Sequence, residues 1–559
     1  MYHILSVTVS RELNRIPFAT LHLLDGEASE GEFTASNSNL FVPGNTVEIQ
    51  LGYRSNNAKV FQGIITKHSL KIRDNSSQLI VECRDKAVKM TQGMKSNYFA
   101  DMKDSAIMEQ IIGTYGLSRQ VQSTVPDLHE VVQYNSTDWD FILCRAEANG
   151  LVVMVEDGAV KISPPATGTE PVVKVQFGTS MLEFDAEIDA REQSKGIKAS
   201  SWNATDQDII ESDASEPSLD LGGNITASNL ADVAGGQPIA IKHGGKLSEP
   251  ELKAWADARL LKQRLAKTRG RARFQGFAAV MPGTLIEIAG IGARFDGKMY
   301  VSGVRHSLSA GNWITDVQFG LSPDLFSETY NLRPMPAAGL LPAITGLQTG
   351  IVTVLQDDPD GEDRIKVRLP VISKSNEGIW ARIATLDAGH NRGTFFRPEI
   401  GDEVLVGFLN DDPRHPVVLG MMHSSSKPAP EHPKDDNHLK GYVSRENMKF
   451  IFDDEKKIVT LETPAGNKME FSEDAQSISF KDQNGNKITM DPDGIRIESI
   501  KELSIKATTD LKIEAINITE KASAAFKAEG TASAEISGAN TNVKGSAMVV
   551  IQGGMVTIN

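Results

Sequence analysis

The chain has 559 residues, 40% of them apolar, and a formal net charge of −15. That length suggests roughly three to four domains with real cores, and the charge repels phosphate backbones and anionic lipid, which disfavours nucleic-acid or membrane-surface binding through a basic patch. No run reaches the ~18 apolar residues of a membrane span, and Met1 to Val7 carries no basic region before a long apolar core, so neither stable membrane insertion nor a cleaved signal is expected.

The first two-thirds carries an internal echo. Pro43-Gly44-Asn45-Thr46-Val47-Glu48-Ile49 leads to Gly63-Ile64-Ile65 and His68, and Pro282-Gly283-Thr284-Leu285-Ile286-Glu287-Ile288 leads to Gly303-Val304 and His306. Pro-Gly makes a turn and the following alternation a strand, so two similar antiparallel barrels are predicted. His68 and His306, in matching places, are expected to be satisfied strand residues. Cys83, in an alternating strand, and Cys144, on a helical stretch, lack motif spacing and are expected to be reduced packing residues, as in a cytosol.

Between the barrels the period turns helical. Asp104 and Ser105 offer caps for a short helix through Ile107 and Ile112. Thr137-x-x-Asp140 is a capping box ahead of Phe141 to Asn149, with Gly150 as the stop. Ser248-x-x-Glu251 opens a helix from Leu252 to about Thr268. The basic residues Lys262, Arg264, Lys267, Arg269, Arg271 and Arg273 read as a solvated face and exit.

Downstream, Ile365, Val367 and Leu369 alternate with Arg364, Lys366 and Arg368, and turns at Gly401-Asp402 and Asp411 to Pro413 separate short strands, as in an oligonucleotide/oligosaccharide-binding (OB) fold. The aromatics Phe395, Phe396 and Phe408 adjoin turn and core positions, and nucleic acid is not expected there. Residues 424–457, rich in Ser, Pro and charge near their start, read as linker and needle entry.

Residues 458–559 alternate apolar or small residues with polar ones. Leu503, Ile505 and Ala507 are answered eight residues later by Leu511, Ile513 and Ala515; near Ile516 the parity slips, and Ala522, Ala524, Phe526, Ala528, Ala534 and Ile536 continue it. A sustained period of two with an eight-residue echo and small inward residues predicts strands wound tightly around copies of themselves. A disordered Ala/Ser/Lys-rich tail and a trimeric adhesin-like stalk are the rivals.

Tyr134-Asn135-Ser136-Thr137-Asp138-Trp139-Asp140-Phe141, followed by Arg145-Ala146-Glu147-Ala148-Asn149-Gly150, resembles a hallmark of VgrG-type spike proteins of contractile injection systems. So do Arg364 to Pro370, Arg397 to Phe408 and Asp412 to Gly420. The resemblance implies a mainly β architecture: a hub of tandem barrels over 1–340, an OB-fold collar over 341–423, an entry over 424–457 and a triple-stranded β-helix needle over 458–559. It implies a non-enzymatic homotrimer whose needle core is Leu503, Ile505, Leu511, Ile513, Phe526 and Ile536. A PAAR-type protein would cap a tip at Met555, Val556, Thr557, Ile558 and Asn559, and a hexameric Hcp-like tail tube, baseplate proteins and effector cargo would be further partners. No catalytic residue, cofactor or metal is expected: nucleophile, zinc and phosphate-loop motifs are missing, and no histidine follows His438. Such a spike is made in the bacterial cytoplasm and delivered outside the cell or into a target. The alternatives are a phage baseplate spike with cell-wall hydrolysis and a glycan-binding fibre.

Overall fold

A computed structural model describes residues 2–558 apart from 28, 75 and 234. Asn559 lies outside the described residues. Five strands come first: β1 (His3–Glu12), β2 (Phe18–Leu24), β3 (Thr46–Tyr53), β4 (Asn56–Arg73) and β5 (Ser76–Arg84). Their alternation sends Val7, Val9, Ala19, Leu21, Leu23, Val81 and Cys83 into one core. A second set, with long strands at Met181–Ile188, Thr268–Gln275, Gly297–Ser309 and Asn312–Phe319, encloses a separate core of Val175, Ala272, Phe274, Ile286, Val301, Val317 and Phe319.

The two predicted units are thus present but fused. β1 pairs antiparallel with Gly297–Ser309, from Ser6 opposite Ser309 to Glu12 opposite Gly303, giving one eleven-stranded sheet. Trp313 of the second set packs in the first core, 5.3 Å from the ring of Tyr53.

The Pro-Gly echo has a common geometry. Gly44 N–H donates to Ile65 O at 2.8 Å and Ile65 N–H to Asn45 O at 2.9 Å; Gly283 N–H donates to Val301 O at 2.8 Å and Val301 N–H to Thr284 O at 3.0 Å. Both glycines sit at positive φ, 102° and 87°, where a side chain would be strained. A bulge follows in each copy, between Ile65 and Lys67 and between Val301 and Gly303. Equating Ile65 with Val301 makes Val304 the counterpart of His68, so the two histidines are two residues out of step rather than matched. Both are hydrogen-bonded strand residues all the same. His68 lies 2.8 Å from Ser36 Oγ and 3.1 Å from Phe41 O, and buried His306 is 3.1 Å from Thr315 Oγ1.

A helical lobe covers one side. Helix α1 (Asp104–Gly113) and helix α2 (Asp138–Ala148) share a core through Ile107, Met108, Ile112, Trp139, Ile142 and Ala146. Thr137 caps α2, accepting from Asp140 N–H at 3.1 Å. The helix opened by Ser248 spans Glu249–Leu265 and stops short of Thr268, which begins a strand.

The basic run after that helix is not a solvated face. Arg264 is buried and bonds Glu216 at 2.6 Å and Ser194 O at 3.0 Å, and Lys262 pairs with Glu147. Arg269, Arg271 and Arg273 lie opposite Glu187, Asp185 and Glu183 across the strand pair. Each bonds a carboxylate there or, for Arg273, also Asp316 at 2.7 Å. Strand pairing aligned a basic strand with an acidic one, which the helical reading could not see.

The collar is a closed five-stranded barrel over Gln348–Met421 with Val352, Ile365, Val367, Leu369, Val404 and Val418 inside. Phe408 packs against that core, whereas Phe395 is 82% exposed and Phe396 meets Tyr442 at 4.7 Å. A seven-stranded antiparallel meander then runs from Leu439 to Glu498. The boundary expected at 457/458 falls inside this sheet, between its second and third strands.

Burial pushes the His306 imidazole down to about 4 from an ordinary 6.5, so the unfolded chain takes up a proton there that the folded hub refuses. Hub stability is therefore complete above pH 6.5 and falls as pH drops toward 4, with up to about 3 kcal/mol assigned to this group. Urea melts of His306→Gln and wild type between pH 4 and 7 should show a shallower pH slope in the variant.

Candidate self-association face

The residues that carry the family resemblance are structural ties. The Asp138 carboxylate accepts from Lys95 Nζ at 2.6 Å, Tyr115 OH at 2.6 Å and Gln133 Nε2 at 2.9 Å. Burial raises its pKa, but those bonds outweigh burial and hold the carboxyl below its ordinary value. Asp138 thereby fastens the ribbon formed by Lys95–Met102 and Leu128–Ser136 to the helices. Arg145 bonds Asp104 through two nitrogens at 2.6 and 2.7 Å, and Asn149 donates to Asp104 at 2.8 Å. Glu147 accepts from Lys262 and from the Phe326 N–H. Asp138, Arg145, Glu147 and Asn149 are thus all engaged in ties within the hub, from helix to strand and from helix to helix. The thiols are inert packing groups: burial pushes Cys83 up to about 12 and Cys144 up to about 11.

The meander separates its residues by face. Directly opposed residues share a face, and Tyr442, Phe450, Leu461, Met469, Phe480, Ile488 and Ile497 form one unbroken row across all its strands. Beside it, Phe452, Val459, Phe471, Ile478, Met490 and Ile495 form another. The reverse face carries Lys449, Glu462, Lys468, Lys481, Lys487 and Glu498. Among the described residues nothing covers the apolar side: Leu461 is 47% exposed and Ile497 53%. An open hollow of about 740 Å³ follows the first row and reaches Leu503. Sequence reading missed this face because it started the needle at Ile458; the alternation Phe450-x-Phe452, Val459-x-Leu461, Met469-x-Phe471 was the available signal.

From Lys501 onward the chain winds without pairing. Among the described residues it makes no backbone-to-backbone hydrogen bond up to Ile558. It bends at 500, 508, 516, 523, 531, 539, 546 and 554, intervals of seven or eight residues. A small residue precedes each bend after the first: Ala507, Ala515, Ala522, Gly530, Gly538, Gly545 and Gly553. Two and four places before it stand Ile505 and Leu503, Ile513 and Leu511, Ala528 and Phe526, Ile536 and Ala534, Val543 and Thr541, Ile551 and Val549. The parity slip seen near Ile516 is a seven-residue interval, and a second, unnoticed one between 539 and 546 restores odd parity. Glu520 alone puts a charge into this pattern.

The expected core residues fall on these repeating positions, with Leu503, Ile505, Leu511, Ile513, Phe526 and Ile536 between 55% and 85% exposed in the single chain. The expected tip residues Met555, Val556 and Ile558 are exposed as well, and Thr557 lies among them. The described core and tip residues are strung along the chain from Leu503 to Ile558.

A family model described as the Alg8 N-terminal domain matches residues 1–310. The chain belongs to the Alg8 N-terminal domain family. A second model, the type VI secretion system/phage-baseplate injector OB domain, matches residues 348–423, the closed barrel. This Alg8-type chain is 24% identical over 375 residues to the type VI secretion system spike protein VgrG1b of Pseudomonas aeruginosa, covering 61% of this chain and 48% of that protein. It is 30% identical over 138 residues to VgrG1c of the same organism, covering 23% and 18%. The chain thus spans less than half the length of these relatives. Among solved structures, the prophage MuSo2 43 kDa tail protein of Shewanella oneidensis aligns at 12% identity and a TM-score of 0.44, covering 58% of this chain and 95% of that one. The resemblance to VgrG-type spike proteins is borne out.

The bends impose a steric requirement. A Cβ on Gly530 would lie 2.2 Å from Ser533 O and one on Gly545 2.4 Å from Met548 O, whereas Gly554 has nothing within 4 Å. In limited proteolysis, Gly530→Val should speed cleavage within 501–558 about tenfold, and Gly554→Ala should leave it unchanged.

Proposed function

We propose that this chain is the central spike of a contractile injection machine, acting as a homotrimer without catalysis of its own. The single observation that carries the reading is the uncovered apolar face of the meander, continued by the exposed repeat that begins at Leu503. A lone sheet with one greasy side is not independently stable in water, and an extended chain with bare amides needs strand partners. Three copies set around an axis would turn the three faces inward and close them into a prism. Beyond it, the wound segments would pair with one another, each buried Leu, Ile or Phe side chain contributing about 1.5–3 kcal/mol. The resulting rod has no free lateral edge and resists compression and shear, as a puncturing needle must.

The hub suits the other end. Two units with the same Gly44–Ile65 and Gly283–Val301 geometry, in three copies, present six similar surfaces, which fits a hexameric Hcp-like tail tube on a threefold spike. Baseplate proteins and effector cargo are the further partners of this reading. A PAAR-type protein would cover Met555, Val556 and Ile558, whose side chains stand open. The spike relatives support delivery by the apparatus, outside the producing cell or into its target.

Native mass measurement should give three copies per particle. Leu461→Asp combined with Phe480→Asp places charges inside the prism and should release single copies with folded hubs. A wild-type chain that runs as one copy would overturn the proposal.

A further inference from the structure

The charges on the outer face of the hub sheet are not all matched. One row crosses both halves: Arg84, Phe18, Ser10, Arg305, Asp316, Arg273 and Glu183 stand opposite one another on successive strands. Its far end is neutralised, since Arg273 bonds Asp316 at 2.7 Å and also engages Glu183. Arg305 faces Asp316 across the strands, but that carboxylate is held by Arg273, and Arg305 is exposed with no ion pair among the described residues. Arg84 likewise has no carboxylate partner among the described residues; its guanidinium lies 5.1 Å from the Phe18 ring centroid. A groove of about 440 Å³ runs over the seam between the halves, bordered by Arg305, Thr8, Thr20, His22 and Phe18 and also by Glu12 and Asp316; Arg84 lies beyond its Phe18 side, where both border a neighbouring groove.

We infer that this seam groove docks an extended acidic segment of a separate protein, with one carboxylate on Arg305 and a second on Arg84. Arg84 and Arg305 are three strands apart, about 14 Å at the usual inter-strand spacing. Carboxylates four residues apart on an extended chain lie on the same side and about 13 Å from each other, so the spacing selects acidic residues at i and i+4. Thr8 and Thr20 offer hydroxyl donors along the path, and Phe18 gives an apolar midpoint. A second copy of this chain is a poor source. The carboxylates on the matching face, Glu12, Glu82, Glu183, Asp185, Glu187 and Asp316, are already paired with Arg15, Lys67 and the Arg269, Arg271 and Arg273 ladder. An acidic ligand on a chain of net charge −15 depends on this local reversal of sign.

The inference does not depend on the number of copies. The probe is a fluorescein-labelled, blocked heptapeptide, Ser-Glu-Thr-Ser-Thr-Glu-Ser, titrated with the full-length protein at low salt and followed by anisotropy. Binding should weaken about fivefold with Arg305→Glu and with Arg84→Glu, be largely retained by Arg305→Lys, and fade as salt is added. Circular dichroism and native mass check that each variant keeps its fold and assembly. The same peptide with both glutamates changed to glutamine tests the groove without altering the protein. Equal binding of the glutamine peptide by wild type, or unchanged affinity in folded Arg305→Glu, would overturn the assignment.

Discussion

A β-sheet that gathers its aromatic and aliphatic side chains on one face, and its lysines and glutamates on the other, demands a cover for the apolar face. Here the sheet from Leu439 to Glu498 has such a face, and among the described residues no other segment covers it. The same demand passes without a break into the winding segment, where Leu503 borders the hollow along the row ending at Ile497. Burial of that surface is the large favourable term, and in the proposed trimer identical neighbours have the matching length and repeat to supply it. The collar then stands as an adaptor with its own closed core, fixed to the sheet by the Phe396–Tyr442 contact and by Arg445 on Glu399 at 2.8 Å.

Sequence and structure agree where one periodicity decides. The alternation of Ile365, Val367 and Leu369 fixed the collar strands, and Thr137 with Asp140 fixed a helix start, because both signals act over a few residues. Disagreement arises where distant segments meet. Nothing local to His3–Glu12 announces that it pairs with Gly297–Ser309. Nothing in the run from Lys262 to Arg273 announces an acidic strand at 181–188. The counterpart of His68 was misjudged by two residues because the chain from turn to paired strand differs in length between the copies, 21 residues from Gly44 to Ile65 against 18 from Gly283 to Val301. In the needle the repeat was legible, but its corners were not. Small residues before each bend make sense only once the turns are placed, and Ala gives way to Gly from Gly530 onward.

The motif that carries the family resemblance illustrates a wider point about spike proteins read from their residues. Asp138, Arg145, Glu147 and Asn149 are charged or polar and clustered, which in an enzyme would invite a catalytic reading. Their partners are Lys95, Tyr115, Asp104, Lys262 and backbone, all within the helical lobe. A truncation at any of them leaves a half-buried partner unbonded, so these positions matter to the shape of the hub.

The seam between His3–Glu12 and Gly297–Ser309 has a consequence for biogenesis. A ribosome finishes the opening strand and its first neighbour Phe18–Leu24 at once, yet the neighbour on its other edge emerges only about three hundred residues later. Until then one edge of the nascent amino-terminal half is bare, open to mispairing with another polypeptide, and the long loop to be closed slows native docking. Closure of the hub therefore waits until residues 297–319 have emerged, and a chaperone that shields an exposed strand edge would have its place in that interval.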